Sequence, residues 1–292
     1  MTVDPGTGLT ILGGAMGSAK LIEKILGPTA EYLGGGLRDW TERSLKNVRR
    51  IFERAAERLG NGVDAPGAVP PKVLKGILEE GPFCDDDLAA EYYGGVLASS
   101  RSEVGRDDRG AALISLLGRL TNYEIRSHFY FYKAMRLLFE GLDVNIGVTE
   151  GRVQLRMFVP MDEYVAALEF SDQEDLAPIL SHVMFGLSRE ALIEEGFYYG
   201  DADSLRGRYP QADRPGILVG PSALGVELFL WAHGQGHHAI HDFLDTDLQL
   251  VSSAPMPIGL GLRSTNFPER VLPATGPPTT PANIDAPSPD AA

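Results

Sequence analysis

The 292-residue sequence predicts a mainly α protein of the α+β type. Apolar residues recur at spacings of three and four through most of the first half, as on the buried faces of helices. An alternation of apolar and polar residues, which indicates a strand, first occurs after Gly141. Seven prolines follow Phe267, and no Lys or Arg lies beyond Arg270, which predicts a disordered end.

Composition divides the chain into four predicted parts. Residues 1–61 comprise a glycine-rich amphipathic segment and a basic helix, and residues 70–145 form a helical domain. Residues 146–250 form a small winged-helix-like α/β module, and residues 251–292 form a Pro-rich disordered tail. The stretch GVDAPGAVPP is a linker by composition and separates the first two parts.

The formal net charge of −14 opposes nucleic-acid binding, because phosphates are repelled at long range. Residues 1–60 carry a net charge of +2 and the remaining residues −16, so an anionic partner would approach the N-terminal part. The single cysteine, Cys84, cannot form an internal disulfide, which fits a reducing compartment. Since no positively charged start precedes the first apolar run, we expect a cytoplasmic protein.

Residues 7–36 are rich in glycine and carry a short amphipathic pattern that ends at Gly27. Charged residues interrupt the apolar run before it reaches the roughly 18 residues of a membrane-spanning helix. The predicted helix lies either on a membrane surface or on the rest of the protein. We favour packing on the protein, because amphipathic helices of soluble proteins usually face a core. The apolar face consists of Leu21, Ile22, Ile25 and Leu26.

A basic amphipathic helix is predicted next and ends at Gly60. Its apolar residues alternate at spacings of three and four, which makes a seam that needs a helical partner. Two heptads are too few for a coiled coil, so we expect the partner within the chain. The seam residues are Leu45, Val48, Phe52, Ala55 and Leu59. The basic side chains, which either attract anionic headgroups or form a solvated face, are Arg43, Lys46, Arg49, Arg50 and Arg54.

Four further helices are predicted before Gly141, in VPPKVLKGILEE, DDDLAAEYYGGVLASS, GAALISLLGRL and TNYEIRSHFYFYKAMRLLFE. Beyond it we predict a strand in GRVQLRMFVP, two helices in DQEDLAPILSHVMFGLSREALIEEGFYYG, a strand in ILVG and a helix in SALGVELFLWAHG. This order resembles a winged-helix module, which reads DNA through basic residues on its second helix. Because SREALIEEG is predominantly acidic, a protein contact or a structural role is favoured over DNA recognition.

The stretch WAHGQGHHAIHDFLD holds four of the six histidines. On one helix, His233, His237 and His241 would share a face, but positions eight apart are separated by about 12 Å. Metal–nitrogen bonds are about 2 Å long, so at most one neighbouring pair could bind an ion. A helix that ends at Gly234, with His233 facing its negative end, is a simpler interpretation. A second helix would begin at Gly236 and bury Ile240, Phe243, Leu244 and Leu248. We favour this structural interpretation over a metal site.

The acids Asp85 to Asp87 precede a predicted helix, where the capping of free amides is favoured over cation binding. They also disfavour the thiolate of Cys84, which argues against a cysteine nucleophile. Lys20 lies three residues beyond Gly17, so the start does not match a phosphate-binding loop. The residues GPSALG do not match a nucleophile elbow. We therefore predict no catalytic residue and no cofactor.

Several segments together carry a resemblance to a known family. They are ILGPTAEYLGGGL, VPPKVLKGILEE, DDDLAAEYYGGVLASS, SLLGRLTNYE, GLSREALIEEGF and LGVELFLWAHG. This set, over about residues 20–240, resembles the Abi-alpha (abortive infection alpha) family of bacterial proteins, a domain of unknown function. The resemblance implies a part in abortive phage resistance, in which the infected cell stops growing or dies. It implies no catalytic residue, and YYGG at Tyr92 to Gly95 departs from the bulkier pair of similar proteins.

These patterns lead to three hypotheses about function. The favoured one is a non-enzymatic, defence-type binding protein of the cytoplasm that associates peripherally with the inner membrane through its N-terminal segment. The second is a metal-dependent hydrolase that uses His233, His237 and His241. The third is a scaffold or sensor that partners a toxin. A protein partner, a second copy of the chain and an anionic membrane surface are the partners considered, whereas nucleic acid is disfavoured.

Overall fold

The computed structural model describes residues 24–25, 42–171, 173–250, 256–259 and 261–272. Within them the fold is mainly α with a small antiparallel sheet, so the predicted class is confirmed. The segment 7–36 lies outside the described residues except for Lys24 and Ile25. The helices are α1 (Glu42–Leu59), α2 (Pro71–Glu80), α3 (Asp87–Ser99), α4 (Arg109–Leu117), α5 (Asn122–Phe139), α6 (Thr149–Gln154), α7 (Met161–Leu168), α8 (Leu176–Arg189), α9 (Ala202–Arg206) and α10 (Ala223–Ala232). The strands are β1 (Met157–Pro160), β2 (Tyr198–Gly200), β3 (Gly216–Val219) and β4 (Arg263–Ser264).

Helix α1 packs against α3, so its apolar seam finds the expected partner within the chain. Val48, Phe52 and Ala55 are fully buried there, as the seam predicts. Gly94 of α3 makes the close approach possible, because a Cβ at this position would lie 2.8 Å from the carbonyl oxygen of Ile51. The predicted intramolecular packing of the basic helix is confirmed.

Helix α5 is the central helix of the core and packs against α3, α7, α8 and α10. It begins with a capping box, in which the Thr121 hydroxyl accepts from the Glu124 amide and the Glu124 carboxylate accepts from the Thr121 amide. Its middle is fully buried. The buried aromatic side chains are Phe129, Tyr130, Phe131, Tyr132 and Phe139.

The sheet has the order β2-β3-β1-β4, and every pair is antiparallel. In the central pair, Met157 lies opposite Val219 and Pro160 lies opposite Gly216. All residues of β1 and β3 are buried. Because both faces of these strands are covered, they consist mainly of continuous apolar residues and do not alternate with polar ones.

The strand predicted in GRVQLRMFVP is correct only for its second half. Residues Thr149–Gln154 form helix α6, and β1 begins at Met157. Val153 is exposed at the end of α6, whereas Leu155 is buried in the following turn. Their apparent alternation therefore comes from a helix end and does not reflect a half-buried strand.

The second helix predicted in SREALIEEG is wrong. Helix α8 ends at Arg189, and Ala191 takes a left-handed conformation with φ of 55°. Its end is a Schellman motif, since the Leu192 amide donates to Leu187 O at 2.7 Å. Ile193 then forms a bridge with Pro221, and the chain continues into β2. The winged-helix-like module thus lacks its second helix, because pairing with a distant segment replaces it.

The disordered tail predicted for residues 251–292 is wrong for residues 261–272. Strand β4 pairs with β1, and Leu262 beside it is fully buried. The Leu272 amide donates to Leu262 O at 3.0 Å, and Arg270 donates to Glu140 O at 3.0 Å. Burial of apolar side chains such as Leu262 holds this stretch on the core despite its turn-forming composition. Residues 273–292 lie outside the described residues.

One hydrophobic core contains residues from every predicted part that the structure describes, among them Ile25, Val48, Leu97, Met184 and Leu262. The predicted linker is also attached to the rest of the fold, because Ala68 exchanges two main-chain hydrogen bonds with Ser102. The predicted boundaries near residues 61 and 145 therefore do not separate independent cores. Of the helices in the described ranges, none is long and apolar enough to cross a membrane.

Candidate functional site

The histidine stretch begins where α10 ends. Gly234 has φ of 77°, and the Gln235 amide donates to Leu230 O at 2.9 Å while the Gly234 amide donates to Trp231 O at 3.0 Å. These two bonds define a Schellman motif with glycine at the left-handed position. The predicted helix end at Gly234 is confirmed.

His233, at the end of α10, is buried and belongs to the aromatic core. Its Nδ1 donates to Phe229 O at 2.7 Å, and its ring stacks on Phe129 at a centroid distance of 6.0 Å. Burial lowers the pKa of His233 to about 4, so the ring is neutral near neutral pH. His233 thus lies at the C-terminal end of the helix as predicted, and the neutral ring interacts with the last turn through this hydrogen bond.

The other histidines of the stretch lie on a short turn at the surface. A 3₁₀ helix covers only Ile240–Leu244, so the helix predicted from Gly236 is wrong in extent, although Phe243 and Leu248 are buried as predicted. His238 and His241 both lie 3.1 Å from carboxylate oxygens of Asp242. This carboxylate organises the turn.

The structure does not assemble the three candidate metal ligands. His233 is enclosed in the core, whereas His237 and His241 are exposed. Across the described part of the chain, no three His, Cys, Asp or Glu side chains are gathered in a way that could hold a metal ion. The stretch is organised as a helix end and a turn.

Four of the five basic residues proposed to contact an anionic surface have acidic partners on this chain. Arg43 pairs with Asp85, before α3, at 2.9 Å, and Arg50 pairs with Asp87, the first residue of α3, at 2.8 Å. The other two pair within α1, as Arg49–Glu53 at 2.8 Å and Arg54–Glu57 at 2.9 Å. Lys46 is exposed and has no ionic partner among the described residues. The face is consequently less cationic than its sequence indicates.

Phe83 lies beside this face and is 82% exposed. The Asn47 side chain holds the neighbouring turn by donating to Pro82 O at 3.0 Å. On the N-terminal segment, Ile25 is fully buried in the core and Lys24 forms an ion pair with Asp64. Packing of the segment on the protein, the favoured alternative, is thus observed at Ile25.

The acids before α3 act as predicted. Asp86 is the N-cap of α3, and its carboxylate accepts from the Ala89 amide at 3.0 Å. Burial raises the pKa of the Cys84 thiol to about 12, and the neighbouring aspartates add to this effect. Ser222 of GPSALG is the N-cap of α10, and its hydroxyl donates to Ala191 O at 2.5 Å. Each of these groups has a structural role.

An aromatic row lies on the surface between α8 and β2 and consists of Phe185, Phe197 and Tyr199. Phe185 is 59% exposed and meets the edge of Phe197 at a centroid distance of 5.4 Å. Phe197 directly precedes β2 and Tyr199 lies within it, and their rings are nearly parallel at a centroid distance of 6.4 Å. Tyr199 belongs to β2, which is one of the two outer strands of the described sheet.

A cleft of about 530 Å³ lies between α6, the end of α8 and the start of α10, and Gly196, which precedes Phe197, is part of its lining. Arg156 and Glu194 form an ion pair of 2.6 Å in its wall. Arg152 donates to Ile146 O at 2.8 Å and to Thr149 Oγ1 at 3.1 Å. Within the described ranges this guanidinium has no carboxylate partner. The cleft therefore contains one arginine that is paired with a carboxylate, Arg156, and one that is not, Arg152.

Comparisons of the chain with family models, with curated proteins and with solved structures find no match in any of the three. The likeness to the Abi-alpha family accordingly rests on the sequence segments alone. Sequence reasoning missed the aromatic row and the cleft. The pattern GFYYG, aromatic residues at a spacing of two between glycines, was an available signal for β2. The cleft had no local signal, since its walls come from segments some 70 residues apart.

Proposed function

We propose that this chain is a protein-binding component of a bacterial defence response, and that it contacts its partner through the aromatic row. The carrying observation is Phe185, a large aromatic side chain that remains 59% exposed although it packs against the edge of Phe197. The defence context comes from the resemblance in sequence. A scaffold or sensor role toward a toxin is one form of this function, and it implies a stable complex with that toxin.

The energetics of the aromatic row favour a protein partner. Full burial of a phenylalanine side chain contributes about 1.5–3 kcal/mol relative to exposure. Aromatic residues are also enriched among those that dominate binding energy in protein interfaces. Because Phe185 packs on Phe197, and Phe197 lies parallel to Tyr199, little side-chain entropy is lost when a partner covers the row.

A phage challenge of bacteria that express the full chain tests this proposal. Phe185→Asp places a charge in the row, and Val104→Asp, at a 70% exposed valine elsewhere, is the matched control. We expect the unaltered chain and Val104→Asp to reduce plaque formation and Phe185→Asp to lose this protection while remaining folded by circular dichroism. Equal protection by Phe185→Asp would remove the row from the function, and absence of protection from every version would remove the defence role.

Light scattering separates a foreign partner from a second copy of the chain. If the row joins two copies, the unaltered protein is a dimer and Phe185→Asp is a monomer. A protein that is monomeric in both forms and loses protection with Phe185→Asp uses the row for a different protein.

Peripheral association with an anionic membrane is a second proposal, favoured by Phe83 beside α1. An exposed aromatic beside the helix that carries Lys46 combines an apolar anchor with a cation worth about 1 kcal/mol near such a surface. The four paired arginines contribute less, because a headgroup must displace an internal carboxylate. Flotation with phosphatidylcholine vesicles, with and without phosphatidylserine, tests this. We expect binding only with phosphatidylserine, weakened by Phe83→Ser and unchanged by Val104→Ser; equal failure on both vesicles removes the proposal.

A further inference from the structure

The cleft between α6, the end of α8 and the start of α10 has the size of a small-molecule site. Its volume of about 530 Å³ falls in the range of roughly 300–1,000 Å³ that ligand pockets occupy. The Ser222 hydroxyl donates to Ala191 O, and Ile193 pairs with Pro221, so the end of α8 and the start of α10 are tied together. The cleft is therefore formed in advance of any ligand.

Charge in the cleft is uneven. The guanidinium of Arg156 is neutralised by Glu194 at 2.6 Å. Arg152 meets only uncharged oxygens, Ile146 O and Thr149 Oγ1, and has no acidic partner in the part of the chain that the structure describes. Since a guanidinium forms its strongest hydrogen bonds with a carboxylate or phosphate, Arg152 is the group to which an anion would bind.

Other groups of the lining limit that anion to a single charge. Glu194 and Glu195 both line the cleft, so the two arginines and two glutamates sum to zero. A multiply charged phosphate would be repelled by these carboxylates, whereas a monoanion gains the contact with Arg152. The carboxylate is the monoanion that suits a planar guanidinium.

Apolar side chains form the remaining wall. Val153 is 44% exposed and lines the cleft together with Ile193, Pro221 and Ala223. Arg152 and Val153 are consecutive residues of α6, and both line the cleft. A ligand whose carboxylate pairs with Arg152 therefore has apolar surface in the same cleft for its hydrocarbon part.

We infer that this cleft binds a small carboxylate ligand with a short aliphatic body, either a free carboxylic acid or the C-terminal residue of a peptide. The assignment is independent of the protein contact proposed for the aromatic row. It gives Arg152 and Val153 a common role, recognition of the two ends of one ligand.

Titration of the ¹⁵N-labelled full chain with 4-methylpentanoate tests the inference, and 4-methylpentanamide is the matched neutral probe. We expect saturable shifts of amides around Arg152 and Ala191, with the amide bound about tenfold more weakly, as loss of one charged hydrogen bond implies. The tripeptide Gly-Gly-Leu presents the same group at a peptide end. Binding of either carboxylate supports the inference, and the tighter one identifies the source.

Two variants and one control complete the test. Arg152→Gln removes the charge, and Val153→Glu adds a like charge at an exposed position without disturbing the bonds of Arg152. Each variant is expected to bind 4-methylpentanoate about tenfold or more weakly than the unaltered protein does. Arg106→Gln, at an exposed arginine outside the cleft, is expected to leave affinity unchanged. Equal binding of acid and amide, no saturable shifts with either carboxylate, or full affinity in Arg152→Gln or Val153→Glu would overturn the inference.

Discussion

Gly95 of α3 lies directly against the main-chain carbonyl of Ala232 at the end of α10. A Cβ at Gly95 would stand 1.8 Å from that oxygen and 2.2 Å from its carbon. The two helices are therefore in backbone contact, and α3 fits between α1 and α10 only because Gly94 and Gly95 lack side chains. This explains the glycine pair in YYGG.

We predict that Gly95→Ala lowers the free energy of unfolding by about 1–3 kcal/mol, because the added methyl group forces α3 and α10 apart. The sign is diagnostic, since alanine stabilises a helix interior by roughly 0.5–1 kcal/mol when space is available. Urea denaturation measures the change. Gly207→Ala, where a Cβ meets nothing within 4 Å, should alter stability by no more than about 0.5 kcal/mol. A stabilised Gly95→Ala protein would contradict the observed helix contact.

Substitution of Ala191 by glycine is expected to change the free energy of unfolding in the opposite direction. The left-handed conformation of this residue at the end of α8 suits glycine, so Ala191→Gly should raise the free energy of unfolding by about 0.5–1 kcal/mol. The same substitution at Ala111, inside α4, should lower it by a similar amount. Urea denaturation of both variants provides the comparison. Destabilisation by Ala191→Gly would show that the methyl group matters more than the backbone conformation.

The ion pair Arg58–Glu91 is buried between α1 and α3, with side-chain exposures of 4% and 5% and a distance of 3.0 Å. Removal of one partner leaves an uncompensated buried charge, so Glu91→Gln should cost about 3–5 kcal/mol. The double variant Arg58→Met/Glu91→Met should recover more than half of that loss. Glu53→Gln, in the exposed pair with Arg49, should cost no more than about 0.5 kcal/mol. Equal costs at Glu91 and Glu53, measured by urea denaturation, would contradict the prediction.

The buried His233 predicts a loss of stability in mild acid. Its pKa is about 4 in the fold against an ordinary value of 6.5, because burial disfavours the charged ring. Between these values the unfolded chain binds more protons than the folded one. The contribution of the neutral His233 ring to the free energy of unfolding is complete above pH 6.5. It is lost as the pH falls toward 4, at up to about 1.4 kcal/mol per pH unit.

Urea denaturation between about pH 6 and pH 4.5 checks this slope. His233→Gln cannot titrate, so its stability should fall less steeply with acid than that of the unaltered protein. His241→Gln, at an exposed histidine, should retain the full slope. Identical slopes for His233→Gln and the unaltered protein would show that His233 is not neutral in the fold.

Elemental analysis of untagged protein tests the metal-hydrolase hypothesis. Because His233 lies in the core away from the exposed His237 and His241, we expect less than about a tenth of an equivalent of zinc. A full equivalent that is lost with His237→Ala and kept with His182→Ala would restore the hypothesis. His182 serves as the control because it lies on α8, outside the stretch.

Features set by neighbours in the chain were predictable. The seam of α1, the N-cap Asp86 and the helix end at Gly234 depend on helical periodicity and on hydrogen bonds within a few residues. The helix predicted in SREALIEEG failed for the opposite reason. The segment prefers a helix locally, but the pairing of Ile193 with Pro221 prevents one from forming, and no local pattern reveals this pairing.

Charge shows the same limit. The sequence identifies the arginines of α1, but their partners Asp85 and Asp87 lie more than 30 residues away and become neighbours only when α1 packs on α3. The basic face was therefore overestimated from sequence. Sequence alone determined the mainly α class, the apolar faces of the helices and where most of them end, because these follow from local hydrogen bonding and periodic burial. The tertiary structure alone decided the sheet, the aromatic row and the cleft with Arg152, because each joins segments that only long-range packing brings together.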